Sequence, residues 1–228
     1  MINCLSENWI FYACFIVSAI LSLIPIVGKF LNVLNTLFHE SGHAVMALLT
    51  GGGVMNIKLS ADTSGAAQTK SKYWLGKVLT SFAGYPCSAL TAWLFFWLIQ
   101  EQMVNYIFYV IISLLLINLV LWVRNTFGII WLIVMGLITA AFYMYANSKV
   151  QSYYGVFCAS ILLFQSIYSA FTLLIISVKS ANKAGDAKNL STFTYIPAVI
   201  WALLFFSFAL FLAYRVLFLL PCSQFILT

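Results

Sequence analysis

The sequence predicts an all-α polytopic membrane protein: about six to seven transmembrane helices, with one short β-hairpin at the cytoplasmic membrane boundary. Three observations lead there. Hydrophobic residues make up 64% of the 228, and charged residues only 7%. A soluble domain carries about 25% charged residues, and eleven Lys and Arg with five Asp and Glu cannot coat a chain of this size. Apolar runs of membrane length recur through the chain, and the mean hydropathy is +1.03. One segment between them, residues 54–71, alternates apolar and polar positions instead. A soluble enzyme, a disordered chain and a secreted disulfide scaffold are thereby excluded.

The first apolar run covers residues 9–27. It lacks the basic leader and small-residue cleavage site of a signal peptide and reads as a retained transmembrane helix. The second, residues 30–50, is interrupted by Asn32, Asn35, His39, Glu40 and His43. Such groups are costly in lipid, so they face a protein interior or a water-filled cavity. Gly51, Gly52 and Gly53 end that helix. In residues 54–71, Val54, Ile57 and Leu59 lie among Asn56, Lys58 and Ser60, and Ser64-Gly65 supplies a turn: a β-hairpin pattern. Later runs at 74–99, 104–123, 127–146, 154–178 and 194–220 each meet or approach the roughly 20 residues that span a bilayer. Only Arg124-Asn125 separates the fourth run from the fifth, so one of those two is a candidate re-entrant segment. No repeat, low-complexity stretch or soluble module interrupts the pattern. Residues 1–228 read as a single integral-membrane domain.

The net charge of +6 fits basic loops beside anionic lipid; no Lys/Arg run is dense enough for a nucleic acid. If every run spans, Lys58, Lys70, Lys72, Lys77, Arg124, Lys179, Lys183 and Lys188 share one side, against Lys29, Lys149 and Arg215 on the other. The excess marks the first side, with the hairpin, as cytoplasmic. The N-terminus is then cytoplasmic and the C-terminus external. Cys4, Cys14, Cys87, Cys158 and Cys222 form no CxxC pair and read as small hydrophobes.

The chemistry lies in His39-Glu40-Ser41-Gly42-His43, an HExxH. Positions i and i+4 share a helical face, so two imidazoles can hold one zinc while the intervening Glu acts as general base on metal-activated water. With only two His in the chain, chance produces this arrangement about once in 5,000. A catalytic zinc needs a third protein ligand. No third His exists. Glu7 precedes the first helix and Glu101 lies on the side away from the hairpin. Elimination leaves Asp186 first and Asp62, at the hairpin tip, second, with Cys158 a distant third.

The segment FHESGHAVMALLTGGG, the hairpin-like SADTSGAAQTK and the SFAGYP that follows resemble the site-2 protease family of intramembrane zinc metallopeptidases. The likeness is greatest to the compact bacterial branch without a PDZ domain. Gly185-Asp186-Ala187 followed by Thr194-Tyr195-Ile196-Pro197-Ala198 and Trp201 matches that branch's late aspartate element and its Thr-x-Ile-Pro-Ala-x-x-Trp pattern. The likeness runs, with gaps, from about Phe30 to Trp201. It implies one Zn²⁺ per chain on His39, His43 and Asp186, with Glu40 as catalytic base. It also implies a transmembrane protein or peptide substrate, and the bacterial inner membrane as location with the site near the cytoplasmic face. The family's NxxPxPxLDG element, with its oxyanion-stabilising Asn, is absent; Asn125 and Asn189 are the candidates to replace it. An extended substrate segment could dock on the hairpin by β-addition. Two other classes are compatible with the motif: a zinc-dependent membrane hydrolase of a non-protein substrate, and a non-catalytic zinc-binding scaffold or transporter. Glu40 argues against the second, because metal binding does not need it.

Overall fold

A computed structural model describes residues 9–219; Cys4, Glu7 and Cys222 lie outside the described residues. The elements in order are α1 (Trp9–Leu23), α2 (Val27–Leu49), β1 (Gly53–Leu59), β2 (Gly65–Lys70), α3 (Trp74–Gln100), α4 (Val104–Ile117), a π-helical turn (Asn118–Trp122), α5 (Thr126–Tyr145), α6 (Ser148–Lys179), a 3-10 turn (Ala181–Lys183), α7 (Gly185–Thr194) and α8 (Ala198–Leu219). The protein is an all-α polytopic membrane protein with one antiparallel hairpin.

Among the described residues, five helices are long and apolar enough to cross a membrane: α3, α4 with its π turn, α5, α6 and α8. The first two apolar runs, which the sequence suggests as two crossings, pass that measure only as a pair. They are the arms of one pair bent by 105° around residues 24–26, and together count as at most a sixth span. The break has a local cause. Pro25 sits in it, Asn32 Nδ2 donates to the Ser22 carbonyl at 3.1 Å, and Gly28 packs directly on that carbonyl. The re-entrant candidate suggested at Arg124-Asn125 is instead a tight turn between two full spans. At the other end of the chain, the last apolar run breaks at Pro197, which separates the short α7 from α8; proline disfavours helix at the residue before it.

Helix α2 is two-faced. Val33, Leu34, Leu37 and Phe38 are buried in the main core with Phe95 of α3, Phe108 and Ile111 of α4, and Trp131 and Leu132 of α5. Asn35, His39 and His43, spaced by four, line a cavity on another face. Close approach makes this packing possible: a Cβ on Gly42 would meet the Cys87 Cβ of α3 at 2.6 Å. Gly51, at φ +71°, ends the helix, with Gly51 and Gly52 donating to the Leu48 and Ala47 carbonyls. A left-handed residue at that position is what a helix C-terminus requires, and glycine adopts it without steric cost.

The hairpin pairs Ile57 with Ala67 and Leu59 with Gly65. The outer edge of β1 is closed. Ile57 makes a bridge with Val123, and Asn125 binds Leu59 at both ends, Nδ2 donating to the carbonyl at 2.6 Å and Oδ1 accepting the N–H at 3.2 Å. A second core of Ala170, Leu173, Ala187, Leu190, Ala202 and Phe205 clamps α7 between α6 and α8. That clamp fixes the position of Asp186.

Candidate metal centre

His39 Nε2 and His43 Nε2 lie 3.1 Å apart, and the Asp186 Oδ2 lies 3.1 Å from the first and 3.2 Å from the second. Ligand atoms around a tetrahedral zinc at 2.0–2.1 Å are separated by about 3.3–3.4 Å. Two imidazole nitrogens and one carboxylate oxygen at nearly that spacing fit a small four-coordinate metal ion with one position open. Among the described residues this is the group of His, Cys, Asp and Glu that could hold a metal.

Helices α2, α3 and α7 together position the three members. The α2 spacing puts both imidazoles on one face. His43 Nδ1–H donates to the Thr80 carbonyl of α3 at 2.6 Å, which fixes the ring and leaves Nε2 for the metal. The His39 ring meets the Tyr85 ring edge-on at 4.6 Å, and Tyr85 stacks on Phe205 of α8 at 4.9 Å. Gly84 lies against both imidazoles; a Cβ there would sit 2.5 Å from His43 Nε2 and 2.6 Å from His39 Nε2. Gly185, at φ +42°, turns the chain into α7 so that Asp186 enters in the first turn. Burial acts to raise the Asp186 carboxyl, but the two imidazoles, His43 foremost, outweigh it and hold the group below the usual carboxylate range.

Glu40 is buried at 6% exposure, and its Oε2 accepts the Ala67 N–H of β2 at 2.6 Å. Gly65 keeps the strand this close, since a Cβ there would meet Glu40 Oε1 at 2.6 Å. Ser41, inside the motif, receives Asn118 Nδ2 from the π turn at 2.9 Å. A cavity of about 480 Å³ lies over the motif; His39, Glu40, His43, Asp186 and the β2 residues Gly65, Ala66, Ala67 and Thr69 contribute to its wall.

The remaining candidates lie elsewhere. Asp62 is an exposed turn residue; its carboxylate accepts the Ser64 hydroxyl at 2.6 Å and N–H at 3.0 Å, and these bonds lower its pKa. The Lys29 charge adds the smallest share of that lowering. Cys158 is buried in the main core, and Glu101 caps the far end of α3. Asn125 is committed to Leu59, whereas Asn189 lines the cavity. Sequence reasoning assigned no role to Gly84, Tyr85, the Thr80 carbonyl or the Ala67 N–H. Two of these are backbone atoms, which no residue pattern marks. Gly84 did leave a signal, as the glycine of SFAGYP in an otherwise apolar helix.

The peptidase M50B-like family model matches residues 11–216. The chain belongs to that family. This is the site-2 protease family that the HExxH segment resembles, so the M50B-like chain is an integral membrane protein of a zinc-dependent metallopeptidase family. No curated protein and no solved structure matches it.

Proposed function

We propose that the protein is an intramembrane zinc metalloprotease of the site-2 type, acting as one domain over residues 1–228. It cleaves a peptide bond in or near a transmembrane segment of another membrane protein. The observation that carries this reading is the convergence of His39, His43 and Asp186 in one cavity with a buried Glu40. A scaffold or transporter site has no use for that carboxylate. Strand β2, whose Gly65 and Thr69 flank the Ala67–Glu40 bond on the cavity wall, favours a peptide over a non-protein substrate.

His39, His43 and Asp186 hold one Zn²⁺ per chain. Held there, the ion would supply the Lewis acidity that activates a water and a scissile carbonyl. Glu40 takes the proton from that water and delivers it to the leaving amine. The Ala67 N–H holds one carboxylate oxygen and so fixes the orientation of the other. The Thr80 carbonyl keeps His43 in the tautomer that ligates through Nε2.

A peptide bond inside a helix is shielded, so the substrate must unwind. The outer edge of β1 is occupied, and β2 is the strand on the cavity. Outward backbone groups alternate along a strand; with Ala67 facing Glu40, Gly65 and Thr69 present the flanking ones to an added strand. The charge count puts Lys58, Lys70, Lys72, Lys77, Arg124, Lys179, Lys183 and Lys188 on the hairpin side, which supports a cytoplasmic position in a bacterial inner membrane. The test is to incubate purified protein with candidate membrane peptides, with and without chelator. Cleavage that stops on chelation and returns with zinc supports the reading; chelator-insensitive cleavage, or none with any peptide, refutes it.

A further inference from the structure

We infer that Asn35 binds the main chain of the substrate about two residues from the scissile bond; the inference rests on the protease reading above. Asn35 precedes His39 by four residues, as His39 precedes His43, and it lines the same cavity. Its side chain is buried, at 6% exposure. Its Oδ1 has no hydrogen-bond partner among the described residues. The contrast with Asn32 and Asn118 lies in the amide N–H. Asn32 and Asn118 also carry an Oδ1 without a partner, but their N–H groups serve the fold, Asn32 donating to Ser22 and Asn118 to Ser41 and Leu114. No such bond engages Asn35.

A buried amide without partners is destabilising, and apolar residues fill comparable sites without that penalty. The neighbours Val33, Leu34 and Leu37 do so on the core side of the same helix. Packing therefore gives no reason for an amide at position 35, and the cavity does. A carboxamide offers a donor and an acceptor side by side. An extended peptide offers the complementary pair, its C=O and N–H, whatever its side chains.

The distance follows from helix and strand geometry. Four residues of α-helix advance about 6 Å, and an extended chain covers that in about two residues at 3.3 Å each. With the scissile carbonyl at the imidazoles, Asn35 meets the peptide unit about two residues away. The contact is indifferent to side-chain identity, as befits a site that must hold an unwound segment in register.

Asn35→Leu removes the amide at similar volume. Zinc content should be unchanged and thermal stability unchanged or raised, while kcat/KM on a membrane-segment peptide falls 10- to 100-fold, mainly through KM. N-methylation of single peptide nitrogens, scanned over three residues on each side of the cleaved bond, should locate the contact. One position about two residues away should weaken wild-type cleavage but add nothing to the Asn35→Leu defect. Asn35→Ala gives the same readout if the leucine variant does not fold. Cleavage within twofold of wild type, or equal N-methyl losses in wild type and variant at every position, overturns the inference while leaving the protease reading intact. A wild-type chain that cleaves nothing refutes that reading, and this inference with it.

Discussion

Replacing Gly84 by alanine adds one methyl group, and the structure specifies where it goes. The new Cβ would stand 2.5 Å from His43 Nε2 and 2.6 Å from His39 Nε2 and Cε1. Carbon packs comfortably at about 3.5 Å or more, so the imidazoles must retreat by about 0.9 Å. Metal–ligand distances tolerate only about 0.2 Å. Neither ring can easily withdraw: His43 is tied to the Thr80 carbonyl and His39 packs against Tyr85. Gly84→Ala should therefore lose most of its zinc by elemental analysis and at least 10²-fold of its peptidase activity, a loss in line with a 1 Å misplacement. Gly136→Ala is the control, because its Cβ would meet nothing within 4 Å; it should keep zinc and activity, and a helical Gly→Ala change favours stability by up to about 1 kcal/mol. A Gly84→Ala protein with full zinc and wild-type turnover would refute the close packing of α3 on the ligands.

Glu40→Gln should retain zinc and lose cleavage by 10²-fold or more, since the amide keeps the shape but cannot take a proton; a variant that still turns over removes Glu40 from the base role. Asp186→Ala should lower zinc content and abolish cleavage, whereas Asp62→Ala should leave both unchanged; the reverse pattern in a metal assay would move the third ligand to the hairpin. In a cysteine-free background, a thiol reagent applied outside intact cells should reach a cysteine at Ser148, the first residue of α6, and miss one at Ser71, beside the hairpin. Labelling in the opposite sense would reverse the orientation without touching the metal site.

The class of fold was readable because lipid imposes a simple rule: spans must be apolar over about 20 residues. The HExxH pair was readable because helical spacing alone puts His39 and His43 on one face. The hairpin followed from alternation in residues 54–71. The bend between α1 and α2 was not readable as such. Both arms look like spans, and the break depends on Asn32 and Gly28 sealing the end of α1, a contact between elements. The start of α8 was misplaced by four residues, although Pro197 marked it. Asp186 could be singled out only by elimination and resemblance, because its place is set by Ala187 and Leu190 packing between α6 and α8. The Ala67 N–H that holds Glu40 belongs to a small apolar residue whose side chain gives no hint of the role.

The central claim is that one zinc sits on His39, His43 and Asp186. X-ray absorption at the zinc edge of the purified protein tests it most directly. The account predicts about one zinc per chain, with two imidazole nitrogens and light oxygen scatterers at about 2.0–2.2 Å, and loss of one imidazole shell in His39→Ala. A protein that takes up no zinc, a sulfur ligand at about 2.3 Å, or a spectrum unchanged in His39→Ala would contradict it.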